Sequence, residues 1–151
     1  MGTSHLDLDL ELDAGSLDEL REEECLRLVG TMSIGRVAVP VAGGSPLVVP
    51  VNYVLDGEVV VFRTGPGAKA SALLGAPMSF QVDLVDPTHR TGWSVLIRGL
   101  GAEAADREVR HLTLEPWAPG DRSQWIRVLP NEVTGRRIRL PDAVRDPRGY
   151  A

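Results

Sequence analysis

The sequence is poor in the residues that build metal and disulfide sites. It has one cysteine, Cys25, and three histidines, and these four residues show no zinc-ligand spacing. A single cysteine excludes a framework of internal disulfides. We therefore expect a fold that is held together by its apolar core, without a structural metal.

Long hydrophobic runs are also missing. No apolar stretch approaches the roughly 20 residues that a membrane-spanning helix needs. The first residues, MGTSHLDLDLELDAG, are acidic and lack the basic start and apolar core of a secretory signal. We therefore expect a cytoplasmic protein with no membrane segment. The net charge of −5 also opposes a general nucleic-acid binder, which needs a basic face to neutralise phosphates.

Acidic residues are concentrated at one end of the chain. Nine of the 21 fall within the first 24 of 151 residues, which predicts a solvated acidic tail. The alternating LDLDLEL of this tail is alternatively typical of an edge strand. We assign residues 1–15 to the tail, 16–141 to one domain and 142–151 to a second, charged tail.

The patterning of the domain predicts mainly β structure. Ser16 and Glu19 have the spacing of a capping box, which predicts a helix over about 17–30 with Cys25 as a small buried hydrophobe. Asp56-Gly57 predicts a type I′ hairpin turn. Short helices are expected near 68–75 and 106–114, WAPGDRSQ is expected to be a loop, and the last segment is one strand or a bent pair. The β-branched runs are SIGRVAVP, LVVPVNYVL, EVVVFRT, MSFQVDLV, GWSVLIRGLGAEA and WIRVLPNEVTGRRIRL. Strands joined by hairpins favour a small antiparallel barrel.

A lone lysine marks a candidate phosphate site. Fifteen of the sixteen basic residues are arginine, and Lys69 is the exception, inside FRTGPGAKAS. Arg63 and Thr64 end a strand, glycines fill the turn, and Lys69 and Ser71 begin the next helix, a combination of charge, hydroxyls and free amides that suits a phosphate. The spacing excludes a Walker motif, and the βαβ unit of a dinucleotide fold is missing. An ordinary connection with solvated charges remains the alternative.

Taken together, four segments resemble the flavin-binding split-barrel proteins related to pyridoxamine 5′-phosphate oxidase. They are SIGRVAV, PLVVPVNYVLDGEVVVFRTGPGAKASAL, SFQVDLVDPTHRTGWSVLIRG and WIRVLPNEVTGRRI, and the resemblance spans roughly residues 17–140. It implies a six-stranded antiparallel split β-barrel of Greek-key type with a few short helices. It also implies a homodimer with FMN bound in a groove between the subunits.

The resemblance also implies which residues bind the cofactor. The strand residues Val48, Pro50, Val51, Asn52 and Tyr53 would line the isoalloxazine ring, and Arg63, Thr64, Lys69 and Ser71 would hold the phosphate. Gln81, Trp93 and Ser94 would lie near the flavin or across the dimer interface. Because Pro50 has no N–H, Val51 and Asn52 are the expected backbone donors to the ring.

The predicted function is an FMN-dependent oxidoreductase that acts on a small organic substrate. No catalytic residue is assigned, because a flavin carries the redox chemistry itself. The vitamer oxidase reaction is not expected, since no Arg-x-His substrate pair accompanies RRIRLP. Two alternatives remain, a reductase that uses the deazaflavin F420 and a non-catalytic cofactor-binding or interaction module.

Overall fold

The described part of the chain consists mainly of seven strands, with short helices between them. The computed structural model describes residues 16–66 and 72–140. The elements are β1 Ser16–Glu19, α1 Glu22–Val29, β2 Ile34–Val39, β3 Leu47–Asp56, β4 Val59–Thr64, β5 Pro77–Asp86, β6 Thr91–Glu103, α2 Asp106–Val109 and β7 Gln124–Arg139.

Antiparallel pairing closes six of these strands into a barrel. The sheet order is β1-β7-β4-β3-β2-β5-β6, and β6 pairs back onto β7. The first residues of β7 pair with β4, and its last residues pair with β1. β1 is therefore an extra strand outside the closed barrel. The predicted six-stranded antiparallel barrel is confirmed, and its last segment is one long strand.

The barrel interior is filled by alternate residues of the strands, among them Phe62, Phe80, Ile97 and Ile126, each at most 2% exposed. Alternation is expected because successive side chains of a strand point to opposite faces. Gly35 makes room for an aromatic ring, since a Cβ there would lie 2.3 Å from Cζ of Phe80. Helix α1 covers one end of the barrel with Cys25, Leu28 and Val29. Burial raises the pKa of the Cys25 thiol, in agreement with the prediction of a buried hydrophobe.

The start of the domain differs from the prediction. Residues Ser16–Glu19 form β1, whose partners are Arg136–Arg139 of β7, so Ser16 and Glu19 do not form a capping box. The helix begins later, at Glu22, after an N-cap at Arg21 that makes no side-chain capping bond. Pairing with a strand more than 100 residues away has overridden the local capping signal.

Two further local predictions need correction. The turn between β3 and β4 consists of Gly57 and Glu58, because Asp56 already pairs with Val59. Only Gly57 has a positive φ (61°), which is the pattern of a type II′ turn rather than type I′. The helix predicted over 106–114 ends at Val109, because the following residues form a loop tied to β4.

Some predictions fall partly or wholly outside the described residues. Of the helix expected near 68–75, residues 67–71 lie outside them, and Ala72 and Leu73 are helical. The tails 1–15 and 142–151 also lie outside, so their assignment stays a prediction. Over 16–66 and 72–140, no helix is long and apolar enough to cross a membrane, and no three metal-binding side chains come together.

Candidate functional site

The strand β3 presents its first half to the outside of the barrel. Val48 is 59% exposed, Pro50 is exposed and Asn52 is half-buried. The alternate residues Val51 and Tyr53 face inward and pack in or against the core. Thus the five predicted ring-lining residues divide between the two faces of β3.

Tyr53 is a core residue. Its side chain is 3% exposed and its ring meets Phe80 edge to face at 4.7 Å between centroids. The hydroxyl donates a 2.5 Å hydrogen bond to the carbonyl of Val29, and burial raises the Tyr53 pKa to about 12. The side chain is therefore occupied with holding α1 on the barrel and does not line the outer surface.

On the N-terminal side of Tyr53, one edge of β3 has no strand partner among the described residues. Pairing with β4 covers only Tyr53–Asp56, so residues 47–52, here called the open edge, pair with β2 alone. The N–H of Tyr53 donates to Ser33 on the β2 side, and in an antiparallel pair these directions alternate. The amides of Val48 and Asn52 consequently point toward the open edge.

This geometry separates the two predicted backbone donors. Asn52 directs its N–H at the open edge, as expected. Val51 is directly paired with Gly35 and directs its N–H at β2, so that amide belongs to the strand ladder. Pro50 lies between the two outward amides, and its missing N–H falls on the open edge, where proline is tolerated in a sheet.

The outer surface of β3 continues across three more strands, and we call it the open face. Pro50 pairs with Arg36, Arg36 with Gln81, and Gln81 with Leu96. Directly paired residues project to the same side of a sheet. The amide of Gln81 donates to Asp83 at 3.0 Å, and Arg36 also reaches Asp83 at 3.3 Å.

The open face thus collects most of the predicted ring-side residues. Val48, Pro50, Asn52 and Gln81 lie on it, as does Ser94, which is paired with Asp83. Trp93 does not, because the alternation of β6 turns it toward the barrel interior. It lies instead in a separate groove of about 570 Å³ at the barrel end, beside residues such as Leu84 and Arg137.

Arg63, at the end of β4, holds the loop that connects α2 to β7. We call residues 110–123 the 110–123 loop. The Nε of Arg63 donates to the carbonyl of Arg122 and Nη1 donates to the carbonyl of Leu114, both at 2.8 Å. The guanidinium carbon also lies 5.0 Å from the ring centre of Trp125. Among the described residues, Nη2 of Arg63 and the second proton of Nη1 have no hydrogen-bond partner.

The other predicted phosphate residues are placed less completely. Thr64 is half-buried, and alternation along β4 directs its side chain to the face opposite that of Arg63. Gly65 lies close to the 110–123 loop, since a Cβ there would be 2.9 Å from the carbonyl of Asp121. Lys69 and Ser71 fall outside the described residues, so their role stays a prediction.

A contact that the sequence did not reveal joins the loop to the open edge. The side-chain oxygen of Asn52 accepts a 2.9 Å hydrogen bond from the backbone N–H of Trp117. The ring of Trp117 is 73% exposed. The sequence showed this tryptophan only as part of a loop. The signal that could have drawn attention to it is the pair of flanking prolines, Pro116 and Pro119, which restrict the backbone around it.

The two described histidines form surface pairs with carboxylates. His89 lies 2.6 Å from Asp86 in the turn between β5 and β6, and hydrogen bonds from its side chain and backbone lower the pKa of Asp86. His111 lies 3.0 Å from Asp56 and adds another link between the 110–123 loop and the β3–β4 hairpin. Both pairs are exposed, and their contacts account for them as structural links.

Comparisons with known proteins agree with this architecture. A family model described as pyridoxamine 5′-phosphate oxidase matches residues 21–137. An uncharacterized protein of Mycobacterium tuberculosis is 34% identical over 129 residues, which are 80% of this chain and 84% of the relative.

Two solved structures share the fold of this chain. The FAD binding protein from Mycobacterium smegmatis superposes with a TM-score of 0.70 at 33% identity, over 81% of this chain and all of that one. A conserved protein of unknown function from Corynebacterium diphtheriae gives a TM-score of 0.67 at 30% identity, over 82% of this chain and 98% of that one. Since the family model covers most of the barrel and these relatives span most of both chains, the chain belongs to the pyridoxamine 5′-phosphate oxidase-like family.

Proposed function

We propose that this protein binds a flavin nucleotide along the open edge of β3 and acts as a flavin-dependent oxidoreductase on a small organic substrate. The observation that carries the proposal is the position of Asn52 and Arg63 at the point where β3 and β4 separate. A backbone donor and a cationic side chain adjoin there, beside an exposed apolar strand. The FAD-binding relative from Mycobacterium smegmatis supports a flavin as the ligand.

The residues present fit the parts of a flavin. The amides of Val48 and Asn52 suit the oxygen atoms of the pyrimidine ring, which gain negative charge when the ring is reduced. The apolar side chains of Val48 and Pro50 suit the flat ring itself. A bound flavin would supply hydride transfer. The chain would bind the ring, orient it against the open face and exclude water from one side.

The phosphate end would meet positive charge from two sources. Arg63 contributes Nη2, and Lys69 with Ser71 is predicted to contribute from the following segment. A phosphate monoester of FMN carries nearly two negative charges, so charge-assisted hydrogen bonds there account for much of the expected affinity. FMN is the cofactor that the resemblance implies, and FAD is the cofactor of the relative.

Pyridoxamine phosphate itself is a poor candidate substrate. Two of the three arginines at the end of β7 are already paired with carboxylates, Arg137 with Glu24 at 3.2 Å and Arg139 with Asp18. A substrate phosphate held by these two arginines would have to displace the carboxylates. We therefore propose a small organic substrate without that phosphate requirement.

We also propose that the protein is a homodimer whose subunits meet through the open face. Val48 is 59% exposed, Leu96 37% and Leu100 41%, and burying such residues favours association. Edge-to-edge strand pairing is disfavoured, because Pro50 leaves a gap in the donors of the open edge. Contact between faces is thus the expected geometry. Sedimentation equilibrium of the purified chain measures its mass and so tests whether the dimer forms.

The binding proposal is tested by titrating the purified protein with FMN, FAD or F420 and following absorbance and fluorescence quenching. Lys69→Ala should weaken FMN binding about 10- to 100-fold, the loss expected for one charge-assisted contact. Lys69→Arg should retain most of the affinity, and the exposed Arg107→Ala on α2 should change nothing.

Each contrary result has a distinct meaning. Unchanged FMN affinity in Lys69→Ala would remove the phosphate assignment. Binding of F420 alone would identify the deazaflavin reductase instead. A protein that binds flavin but reduces no acceptor when supplied with a chemical reductant would be a cofactor-binding module rather than an enzyme.

A further inference from the structure

Trp117 occupies an unusual position beside the candidate site. It is more exposed, at 73%, than any other large hydrophobic residue of the described chain. Its backbone, however, is fixed, because Asn52 accepts its N–H at 2.9 Å. Single exposed hydrophobic residues are common on protein surfaces, but this one is bonded to the residue that ends the open edge.

The loop that carries Trp117 is anchored on both sides of it. Arg63 binds the carbonyl of Leu114, three residues before Trp117, and the carbonyl of Arg122, five residues after it. Pro116 and Pro119 restrict the backbone between these anchors. The indole ring is therefore an exposed apolar surface on a preorganised support, so a ligand that covers it would not have to order the loop first.

The anchors also place the backbone of Trp117 beside the proposed flavin site. Asn52 is the last residue of the open edge and Arg63 is the proposed phosphate contact, and both bind the backbone of the same loop. FMN ends at its phosphate. FAD continues from that point through a second phosphate to ribose and adenine, and its adenine ring needs a flat surface near the phosphate site.

We propose that Trp117 stacks against the adenine ring of FAD and makes the site prefer FAD over FMN. This inference rests on the proposed flavin site. Aromatic side chains stack readily on nucleobases, because every base offers a π-face. The solved relative is an FAD binding protein, which indicates that this split-barrel fold accommodates the longer cofactor.

The test compares FAD and FMN binding in the full chain with and without the indole ring. Trp117→Ala keeps the backbone N–H that Asn52 accepts, so the loop should stay in place. The FAD affinity should fall about 5- to 150-fold, the range for loss of one base–aromatic stack. The FMN affinity should stay within about twofold, since FMN has no adenine. Trp117→Phe should retain most of the FAD affinity, and Leu17→Ala, an exposed residue on β1, should change neither.

Three results would overturn the inference. Equal losses for FAD and FMN would mean that the ring supports the groove or contacts the flavin ring itself. No loss for either, or a change in dimer mass instead, would mean that adenine does not cover Trp117. If the unaltered protein binds neither flavin, the proposed function fails together with this inference, whereas the first two results leave the flavin site intact.

Discussion

Replacing Arg63 tests whether the 110–123 loop depends on β4. Arg63→Ala removes two 2.8 Å hydrogen bonds from a charged donor to the carbonyls of Leu114 and Arg122, and a cation–π contact with Trp125. Charged hydrogen bonds are worth about 1.5–3 kcal/mol when buried, but Arg63 is only half-buried and water replaces part of this loss. We expect the free energy of unfolding to fall by about 2–3 kcal/mol.

The assay is urea unfolding followed by circular dichroism, combined with hydrogen exchange of the loop amides. Because the bonds join the loop to the barrel, exchange should accelerate in residues 110–123 before it does in the core strands. Arg63→Lys should recover only part of the loss, since an ammonium on a flexible stem lacks the planar spread of the guanidinium that reaches both carbonyls.

A matched control is Arg98→Ala. Arg98 forms an exposed ion pair with Glu132 at 3.5 Å, and such pairs contribute about 0–1 kcal/mol. The reasoning is refuted if loop exchange in Arg63→Ala matches that of the unaltered protein, or if Arg98→Ala is equally destabilising.

Two further predictions concern titrating groups that hold the barrel together. Tyr53→Phe removes the hydrogen bond to Val29 and should cost about 1–2 kcal/mol in urea unfolding. Because burial raises the Tyr53 pKa to about 12, its contribution is present below about pH 10 and is lost between there and pH 12. Tyr53→Phe should lack that alkaline decline, and an equal decline in both proteins would contradict it. The second group is Glu24. Its pKa is lowered from 4.5 to about 2, mainly by the hydrogen bond from Arg27 and to a smaller extent by the one from Arg137. Its stabilisation is therefore present above pH 4.5 and is lost as the pH falls toward 2. Glu24→Gln should flatten thermal stability in this acid range, more visibly at low salt, and an unchanged acid profile would refute the assignment.

The strands could be predicted because each carries its own signal. β-branched runs and turn residues located β2 through β7 to within a few residues, since these patterns depend on neighbours in the sequence. The first helix begins at Glu22 rather than near residue 17 for the opposite reason. Ser16 and Glu19 satisfy a local capping pattern, but their backbone pairs with Arg136–Arg139 of β7, and no local pattern reports such a distant partner.

The same distinction between local signals and distant contacts applies to the candidate site. The sequence and its family resemblance predicted β3 and Arg63 as parts of the site, because these residues stand in recognisable segments. The direction of a backbone amide depends on which neighbouring strand it meets, and so the predicted donor Val51 belongs to the β2 ladder while Asn52 faces outward. The partners of Arg63 lie 51 and 59 residues further along the chain, beyond the reach of spacing arguments.

The hydrogen-bonding pattern of the open edge suits the proposed small ligand better than it suits another strand. An added β-strand requires a regular series of donors and acceptors, and Pro50 interrupts the donors in the middle of the edge. A flat heterocycle requires only a few donors, and the amides of Val48 and Asn52 remain on either side of the proline. Just beyond Asn52, the 110–123 loop, held by Arg63, limits how far a strand could extend. The proline that weakens this edge as a protein-pairing surface therefore leaves it available for the proposed flat ligand.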